Sequence, residues 1–194
     1  MTLPILRPLP LPAGPDVLAS RPQLESILAG GTAWLPVPAG EPRQAEVLAD
    51  ALGAGEPIDA DCSLVVSTSG STGTPKGAMH SPATLAASAA ATAEVLGGPG
   101  SWLLALPPHH IAGLQVLLRS LAAGHTPVVL DLADGFDPAA LPAAIAALPG
   151  PRRYTSLVPL QLRKALADEA AVEALAGLDA ILVGGAATGP ALAA

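Results

Sequence analysis

Short runs of β-branched and other apolar residues alternate along the whole chain with longer stretches rich in alanine and leucine. The short runs have the length and composition of buried strands, and the longer stretches have the apolar spacing of amphipathic helices. Regular alternation of this kind is typical of βα units around a largely parallel sheet. The chain is therefore predicted to have an α/β fold.

Turn residues punctuate this pattern and set the expected limits of each element. Several of the expected helices have a proline in their first turn, where a missing backbone N–H costs nothing. The predicted strands cover residues 33–37, 63–67, 101–106, 126–130, 154–157 and 179–183. The predicted helices lie near residues 42–52, 82–95, 111–122, 138–147 and 159–175.

Composition and charge limit the kinds of molecule that the chain can bind and the kinds of site that it can form. Of 194 residues, 51% are hydrophobic and 13% are charged, so the chain can bury a core and is not a disordered tail. Its net charge of -7 and scattered basic residues exclude the positive surface that nucleic acid requires. Cys62 is the only cysteine, which excludes an internal disulfide and a thiolate-rich metal site. Because we see no signal peptide or apolar run of membrane-spanning length, we expect a soluble cytoplasmic protein.

Three segments that follow predicted strands are candidates for chemistry. In open parallel sheets, ligands bind beyond the carboxyl ends of the strands. We therefore expect the three segments to open at the same edge of the sheet. They are residues 68–77 (Thr-Ser-Gly-Ser-Thr-Gly-Thr-Pro-Lys-Gly), residues 107–113 (Pro-Pro-His-His-Ile-Ala-Gly) and residues 184–187 (Gly-Gly-Ala-Ala).

The first segment carries the groups that a polyphosphate requires: hydroxyls, approachable backbone N–H groups and one ammonium. It is not a Walker A loop, because Pro75 stands where that motif needs its second glycine. Lys76 is the only Lys or Arg between Arg43 and Arg119, so it is the expected main cation. The alternative is a flexible Ser/Gly linker, which has no need of the Pro-Lys-Gly ending. The predicted phosphate-binding residues are Ser67, Thr68, Ser69, Gly70, Ser71, Thr72, Gly73 and Lys76.

Residues 67–77 resemble, almost residue for residue, the signature phosphate loop of the acyl-adenylate-forming enzymes. Residues 106–113 resemble that family's Leu-Pro-x-x-His-x-x-Gly segment, and residues 181–186 resemble the strand and turn beside its adenine pocket. The resemblance implies that His110 lines the acyl pocket and, with Lys76, takes part in catalysis. It also implies that Gly184, Gly185, Ala186 and Ala187 border adenine.

The same resemblance implies a division of the chain. Residues 1–62 form an N-terminal lead with short helices and an edge strand, and residues 63–194 form the nucleotide- and acyl-binding α/β region. The family's later Tyr-Gly-x-Thr-Glu motif, its ribose-binding Asp and the lysine of its mobile C-terminal domain are absent. We therefore expect this chain to be the front portion of the large N-terminal domain, and to be inactive alone.

Within the superfamily, the lead of residues 1–66 and the run of residues 152–162 resemble the compact actinobacterial o-succinylbenzoate-CoA ligases of menaquinone biosynthesis. Ala112 and Arg119 are seven apart on a predicted helix and therefore share a face. An unpaired guanidinium facing an alkyl tail is costly, whereas a dicarboxylate offers Arg119 a second carboxylate, directly or through water. The alternative for Arg119 is a solvated or ion-paired surface position. The predicted substrate-binding residues are His110, Ala112, Gly113 and Arg119.

The implied reaction has two steps. A carboxylate attacks the α-phosphorus of Mg-ATP to give an acyl-adenylate and pyrophosphate, and the thiol of CoA then displaces AMP. The implied cofactors and co-substrates are ATP, CoA and Mg²⁺, whose ligand is expected outside this chain. The implied partners are small molecules, with no membrane insertion and with the oligomeric state, including a homo-oligomer, left open.

Several alternatives remain. They are another aryl- or fatty-acyl-CoA ligase, a peptide-synthetase adenylation module and a non-catalytic nucleotide-binding fragment. A peptide-synthetase module usually has an Asp after the histidine segment, where this chain has Leu114 and Gln115. His109 and His110 are adjacent in sequence and need not converge on one ion, so no zinc site is predicted.

Overall fold

The structure, a computed structural model, describes residues 3–68 and 75–189. In this part of the chain the strands form two four-stranded sheets. The first sheet contains β1 (Leu6–Leu11), β2 (Ala33–Pro38), β3 (Leu64–Thr68) and β4 (Lys76–His80), in that order. Strands β1, β2 and β3 are parallel, and β4 runs antiparallel to β3, with Thr68 paired to Lys76.

The second sheet is entirely parallel in the described residues. Its strands are β5 (Ser101–Leu104), β6 (Val128–Val129), β7 (Arg153–Leu157) and β8 (Ala180–Val183), in the order β6-β5-β7-β8. The connections carry α1 (Arg21–Ala29), α2 (Pro42–Ala51), α3 (Pro82–Leu96), α4 (Ile111–Ala122), α5 (Leu141–Ala146), α6 (Pro159–Ala165) and α7 (Glu169–Ala176). Short 3₁₀ turns at Pro15–Ser20 and Pro138–Ala140 precede α1 and α5.

Three apolar clusters divide the molecule into layers. The largest joins residues of β1, β3, β5 and β7 to residues of α1, α3 and α4, so these helices lie between the two sheets. A second cluster packs α5, α6 and α7 on the other face of the second sheet, and a third packs α2 on the other face of the first. Helix α4 is the most enclosed, because every residue from Gly113 to Leu118 is buried. A helix that is apolar on nearly all sides belongs in such a central layer.

The predicted α/β class with parallel strands is confirmed, and each predicted strand is present, although Val128–Val129 is shorter than expected. The expectation of one sheet differs from the structure, because alternation along the sequence does not specify which strands pair. Strand β1 was not predicted, since Pro8 and Pro10 obscure it. Prolines are tolerated there because β1 is at the edge of its sheet.

The predicted helix at residues 159–175 is two helices, α6 and α7. The interruption has a clear local cause. The Asp168 carboxylate accepts a hydrogen bond from the backbone N–H of Ala171 at 2.9 Å, which caps the start of α7. The predicted helix at residues 138–147 likewise begins as a 3₁₀ turn, with Asp137 accepting from the N–H of Ala139. None of the described helices is long and apolar enough to span a membrane.

Candidate active site

A cavity of about 940 Å³ opens between the two sheets. The segments at the ends of β3, β5, β7 and β8 all contribute to its wall, together with α2 and the first half of α4. The described residues of the three candidate segments therefore meet at one cavity, although they come from two sheets. We call this the main cavity. A volume of several hundred Å³ is typical of small-molecule and cofactor sites.

One end of the main cavity, where phosphate binding was predicted, is formed by the last residues of β3. Ser67, Thr68 and Pro75 line it, and the Thr68 hydroxyl donates to the carbonyl of Lys76 at 3.1 Å. Lys76 is exposed at the start of β4 and is not among the residues that line the cavity. The remaining predicted loop residues, Ser69, Gly70, Ser71, Thr72 and Gly73, lie outside the described residues.

The histidine segment connects β5 to α4 along one wall. His110 is the residue before α4 and is exposed to the main cavity, which Ala112 and Gly113 also line. Gly113 is needed for close packing, because a Cβ there would lie 2.3 Å from the carbonyl oxygen of Pro107. The sequence thus folds back tightly enough to put the start of α4 against the end of β5.

His109 supports the other side of His110. Its ring is 8% exposed, and the two ring centroids are 4.2 Å apart with the planes inclined by 46°. Burial, with a smaller contribution from the nearby His110, lowers the pKa of His109 to about 4. His109 is therefore an uncharged ring at neutral pH, packed against the histidine that faces the cavity.

Arg119 lies two turns into α4 and lines the main cavity. It also lines a separate cavity of about 220 Å³ together with Trp102. Its guanidinium carbon is 5.6 Å from the ring centroid of Trp102, a cation–π distance. Among the described residues, its buried Nε has no hydrogen-bond partner and no carboxylate lies within 4.0 Å of the side chain. Burial lowers the pKa of Arg119, but a guanidinium remains charged in proteins. Arg119 is thus a half-buried cation with no counter-charge in this part of the chain.

The turn after β8 forms the opposite rim. Gly184 and Gly185 line the main cavity, and the N–H of Gly184 donates to the carbonyl of Leu157 at 3.2 Å. Gly185 has φ +80°, a backbone conformation that residues with a side chain rarely adopt. Ala186 and Ala187 are exposed and are not among the cavity-lining residues. The backbone of the two glycines is therefore the part of this turn that a ligand reaches.

Other lining residues were not anticipated from the sequence. Helix α2 contributes Gln44 and Leu48, and Gln115 of α4 lines the cavity one turn before Arg119. The end of β7 adds residues 156–158. Gln161 does not line the cavity but supports its wall. Its position after Pro159, in the first turn of a helix, could have indicated a capping role from the sequence. Its amide donates to Ala105 at 2.6 Å and accepts from Val158 at 2.9 Å, which joins β7 to the end of β5.

Comparison with known proteins gives a consistent picture. A sequence model for the family described as AMP-binding enzyme matches residues 20–194. A probable 2-succinylbenzoate-CoA ligase of Mycobacterium tuberculosis is 54% identical over 180 residues, covering 93% of this chain and 46% of that protein. The 2-succinylbenzoate-CoA ligase of Escherichia coli is 36% identical over 128 residues, covering 65% of this chain and 25% of that protein. The chain thus spans about half the length, or less, of the curated relatives it matches.

A solved structure extends the likeness to the fold. The o-succinylbenzoate CoA synthetase of Bacillus subtilis, in complex with its acyl-adenylate intermediate, superimposes with a TM-score of 0.67. The match covers 95% of this chain and 56% of that one, at 19% sequence identity. At this identity the superposition demonstrates a shared fold.

Proposed function

The chain belongs to the AMP-binding enzyme family, and from this premise we propose that it forms the nucleotide- and acid-binding part of an o-succinylbenzoate-CoA ligase. The observation that carries the proposal is Arg119, a half-buried cation that lines the main cavity and has no counter-charge among the described residues. The likeness to curated 2-succinylbenzoate-CoA ligases supports the same substrate. In this proposal the protein acts in menaquinone biosynthesis, with ATP and CoA as co-substrates.

The acid lies along α4, with its reacting carboxylate near His110 and its second carboxylate at Arg119. No acidic residue is among the described residues that line the main cavity, so nothing in the described wall repels a dianion. The side chains from Leu106, Ile111 and Val158 give the same wall an apolar surface for an aromatic ring. Ala112 and Gly113 leave room beside His110, because neither carries a bulky side chain.

ATP occupies the other half of the cavity. The Ser67 hydroxyl and the segment that follows it bind the β- and γ-phosphates, joined by the Thr68 hydroxyl when it turns from the Lys76 carbonyl, and Lys76 supplies a positive charge from the facing strand. The backbone of Gly184 and Gly185 borders the adenine, and Ala186 and Ala187, which do not line the described cavity, would contact it only at its outer edge. Attack of one anion on another needs alignment and charge neutralisation, which fixed N–H groups and cations provide.

The acid's carboxylate oxygen then bonds to the α-phosphorus while the bond to the bridging oxygen of pyrophosphate breaks. The acyl-adenylate that results has a carbonyl carbon beside His110, where the sulfur of CoA displaces AMP. Mg²⁺, when bound, neutralises phosphate charge during the first step. The described lining residues contain no carboxylate to hold it, so we assign it no ligand there.

A fatty acid fits this wall less well, because an alkyl tail would leave Arg119 buried against hydrocarbon. An amino-acid substrate fits less well too, because the described lining residues offer no acid for its α-amino group.

The direct test is pyrophosphate exchange with the full-length protein. o-Succinylbenzoate should drive exchange of labelled pyrophosphate into ATP, with the acyl-adenylate detectable by mass spectrometry. A fatty acid or an amino acid should not. Exchange with a long-chain fatty acid but not with o-succinylbenzoate would reject the proposed substrate.

A further inference from the structure

Two glutamines of this protein are buried to the same extent but differ in their hydrogen bonds. Gln115 and Gln161 are each 9% exposed. Gln161 donates to Ala105 and accepts from Val158, so both ends of its amide are engaged. The amide of Gln115 makes no hydrogen bond to any other residue within 3–68 and 75–189. Neither atom of this amide is among the fully buried polar atoms that lack a partner, so the amide is open to the cavity that it lines and is available to a ligand.

The surroundings of Gln115 make the choice of an amide more conspicuous. Its neighbours on α4, Leu114 and residues 116–118, are all buried and apolar. A leucine at position 115 would continue this apolar packing. Unlike Gln161, Gln115 joins no two elements of the fold by hydrogen bonds. Packing of α4 therefore does not account for this side chain.

Gln115 and Arg119 lie together at a boundary between cavities. Both line the main cavity, and both line a second cavity of about 210 Å³ between α1, α3 and α4. The rest of the second cavity is apolar, formed by Leu28, Pro82, Leu85, Ala86, Ala89, Leu118 and Ala122. Four residues apart, the two polar side chains share a face of α4 and are separated by about 6 Å along its axis.

We propose that Gln115 is a specificity-determining residue, whose amide N–H groups bind the same substrate carboxylate that Arg119 holds. The inference rests on the proposed function and adds a second contact at its distal end. A carboxylate has two oxygens with about four acceptor positions, so one oxygen can face the guanidinium while the other accepts from the amide. Arg119 supplies the charge that a neutral amide lacks.

The Gln115 amide discriminates between acids because it loses a hydrogen bond when the substrate lacks the second carboxylate. An acid without the second carboxylate gives Gln115 and Arg119 no hydrogen-bond partner. Sites that bind a polar group of the substrate reject analogues that lack this group. A dicarboxylate satisfies both side chains at once. The pair therefore distinguishes o-succinylbenzoate from 4-oxo-4-phenylbutanoate, which keeps the keto-acid chain and lacks the ring carboxylate.

The test compares Gln115→Met, which keeps the length and approximate volume of the side chain, with wild type in the full-length enzyme. The kcat/KM of pyrophosphate release should fall about tenfold for o-succinylbenzoate, a change of about 1.4 kcal/mol. It should stay level or rise for 4-oxo-4-phenylbutanoate, and the KM for ATP should not change. Gln115→Glu should lose at least a hundredfold with the dicarboxylate, because the new carboxylate pairs with Arg119 and repels the substrate.

Gln161→Met is the matched control, since it removes an equally buried amide whose bonds are internal to the protein. It should lower the Tm and depress both substrates in parallel. If Gln115→Met behaves like this control, or if it leaves the ratio of the two kcat/KM values unchanged, Gln115 is not a specificity residue. Should Gln115→Met fail to fold, Gln115→Asn supplies the same ratio from a shortened amide. Wild-type enzyme that does not activate o-succinylbenzoate would reject the proposed function and this inference together.

Discussion

Replacing Arg119 by leucine is the sharpest test of the proposal that this protein selects a dicarboxylic acid. The change removes a guanidinium that is half-buried, stacked 5.6 Å from Trp102 and without a carboxylate partner in the described residues. In the proposed complex, this cation holds the second carboxylate of the substrate. The variant should therefore be impaired with o-succinylbenzoate and unimpaired, or improved, with an acid that has one carboxylate.

The size of the effect follows from the kind of contact. A hydrogen bond to a charged group contributes about 1.5 to 3 kcal/mol, which corresponds to about tenfold to a hundredfold in kcat/KM. The effect on folding should be smaller. Loss of the cation–π contact costs up to about 2 kcal/mol, and removal of a buried, unpaired charge offsets part of that cost. Arg119→Leu should thus change the substrate ratio far more than it changes the free energy of unfolding.

The assay is pyrophosphate release with o-succinylbenzoate and with 4-oxo-4-phenylbutanoate, alongside urea denaturation of each variant. Arg21→Leu is a suitable control, because Arg21 is about half exposed and pairs with Glu25 at 2.7 Å on the surface of α1. Exposed pairs contribute only about 0 to 1 kcal/mol, so this variant should leave both activities unchanged. An Arg119→Leu enzyme whose ratio of kcat/KM values equals that of wild type would refute the assignment of Arg119.

Other positions of the chain respond to different perturbations. Lys76→Ala should slow adenylate formation about tenfold to a hundredfold at subsaturating ATP, since a charge-assisted contact is lost; unchanged pyrophosphate release would contradict the phosphate-loop assignment. Between pH 6.5 and 4 the unfolded chain binds a proton at His109 that the folded protein excludes. This one group should therefore lower the free energy of unfolding by about 3 kcal/mol as the pH drops through this range, and His109→Phe should remove that part of the pH dependence. An NMR titration that places the His109 pKa near 6.5 would exclude this contribution of His109 to the pH dependence of stability. Gly113→Ala should destabilise the protein by about 1 to 3 kcal/mol in urea denaturation, because its Cβ would meet the carbonyl of Pro107, whereas Gly40→Ala has open space and should be nearly neutral.

The elements that the sequence predicted well are those in which the spacing of apolar residues is regular and uninterrupted. Helix α4 begins and ends as predicted, at Ile111 and Ala122, because its apolar residues are bounded by His110 and a Gly124 turn. Strand β1 escaped prediction because Pro8 and Pro10 interrupt its apolar run, and its position at the edge, where prolines are well tolerated, is a property of the assembled sheet. Strand β4 escaped because Lys76 and Gly77 were assigned to the phosphate loop, whereas they pair with Thr68 and Ser67.

The candidate site shows the same limit. The sequence pointed to the segments after β3, β5 and β8, since ligands collect beyond strand ends, and the structure brings all three to the main cavity. It gave no reason to select Gln115, because one glutamine in a helix is indistinguishable from another until burial and partners are known. The contribution of α2 was equally hidden, since Gln44 and Leu48 reach the cavity only through the packing of α2 on the first sheet.

The layered arrangement explains why selectivity for the acid can reside in α4. Buried side chains from Leu114 to Leu118 fix this helix between the two sheets, so polar groups carried on it are held rigidly. The phosphate end depends on a different element, the β3–β4 pair in the first sheet. Substitutions at Gln115 or Arg119 alter the distal end of the acid site without touching the residues at the end of β3. In the proposed function, recognition of the acid can therefore change while the geometry for ATP is retained, so the two kinds of variant should affect different kinetic constants.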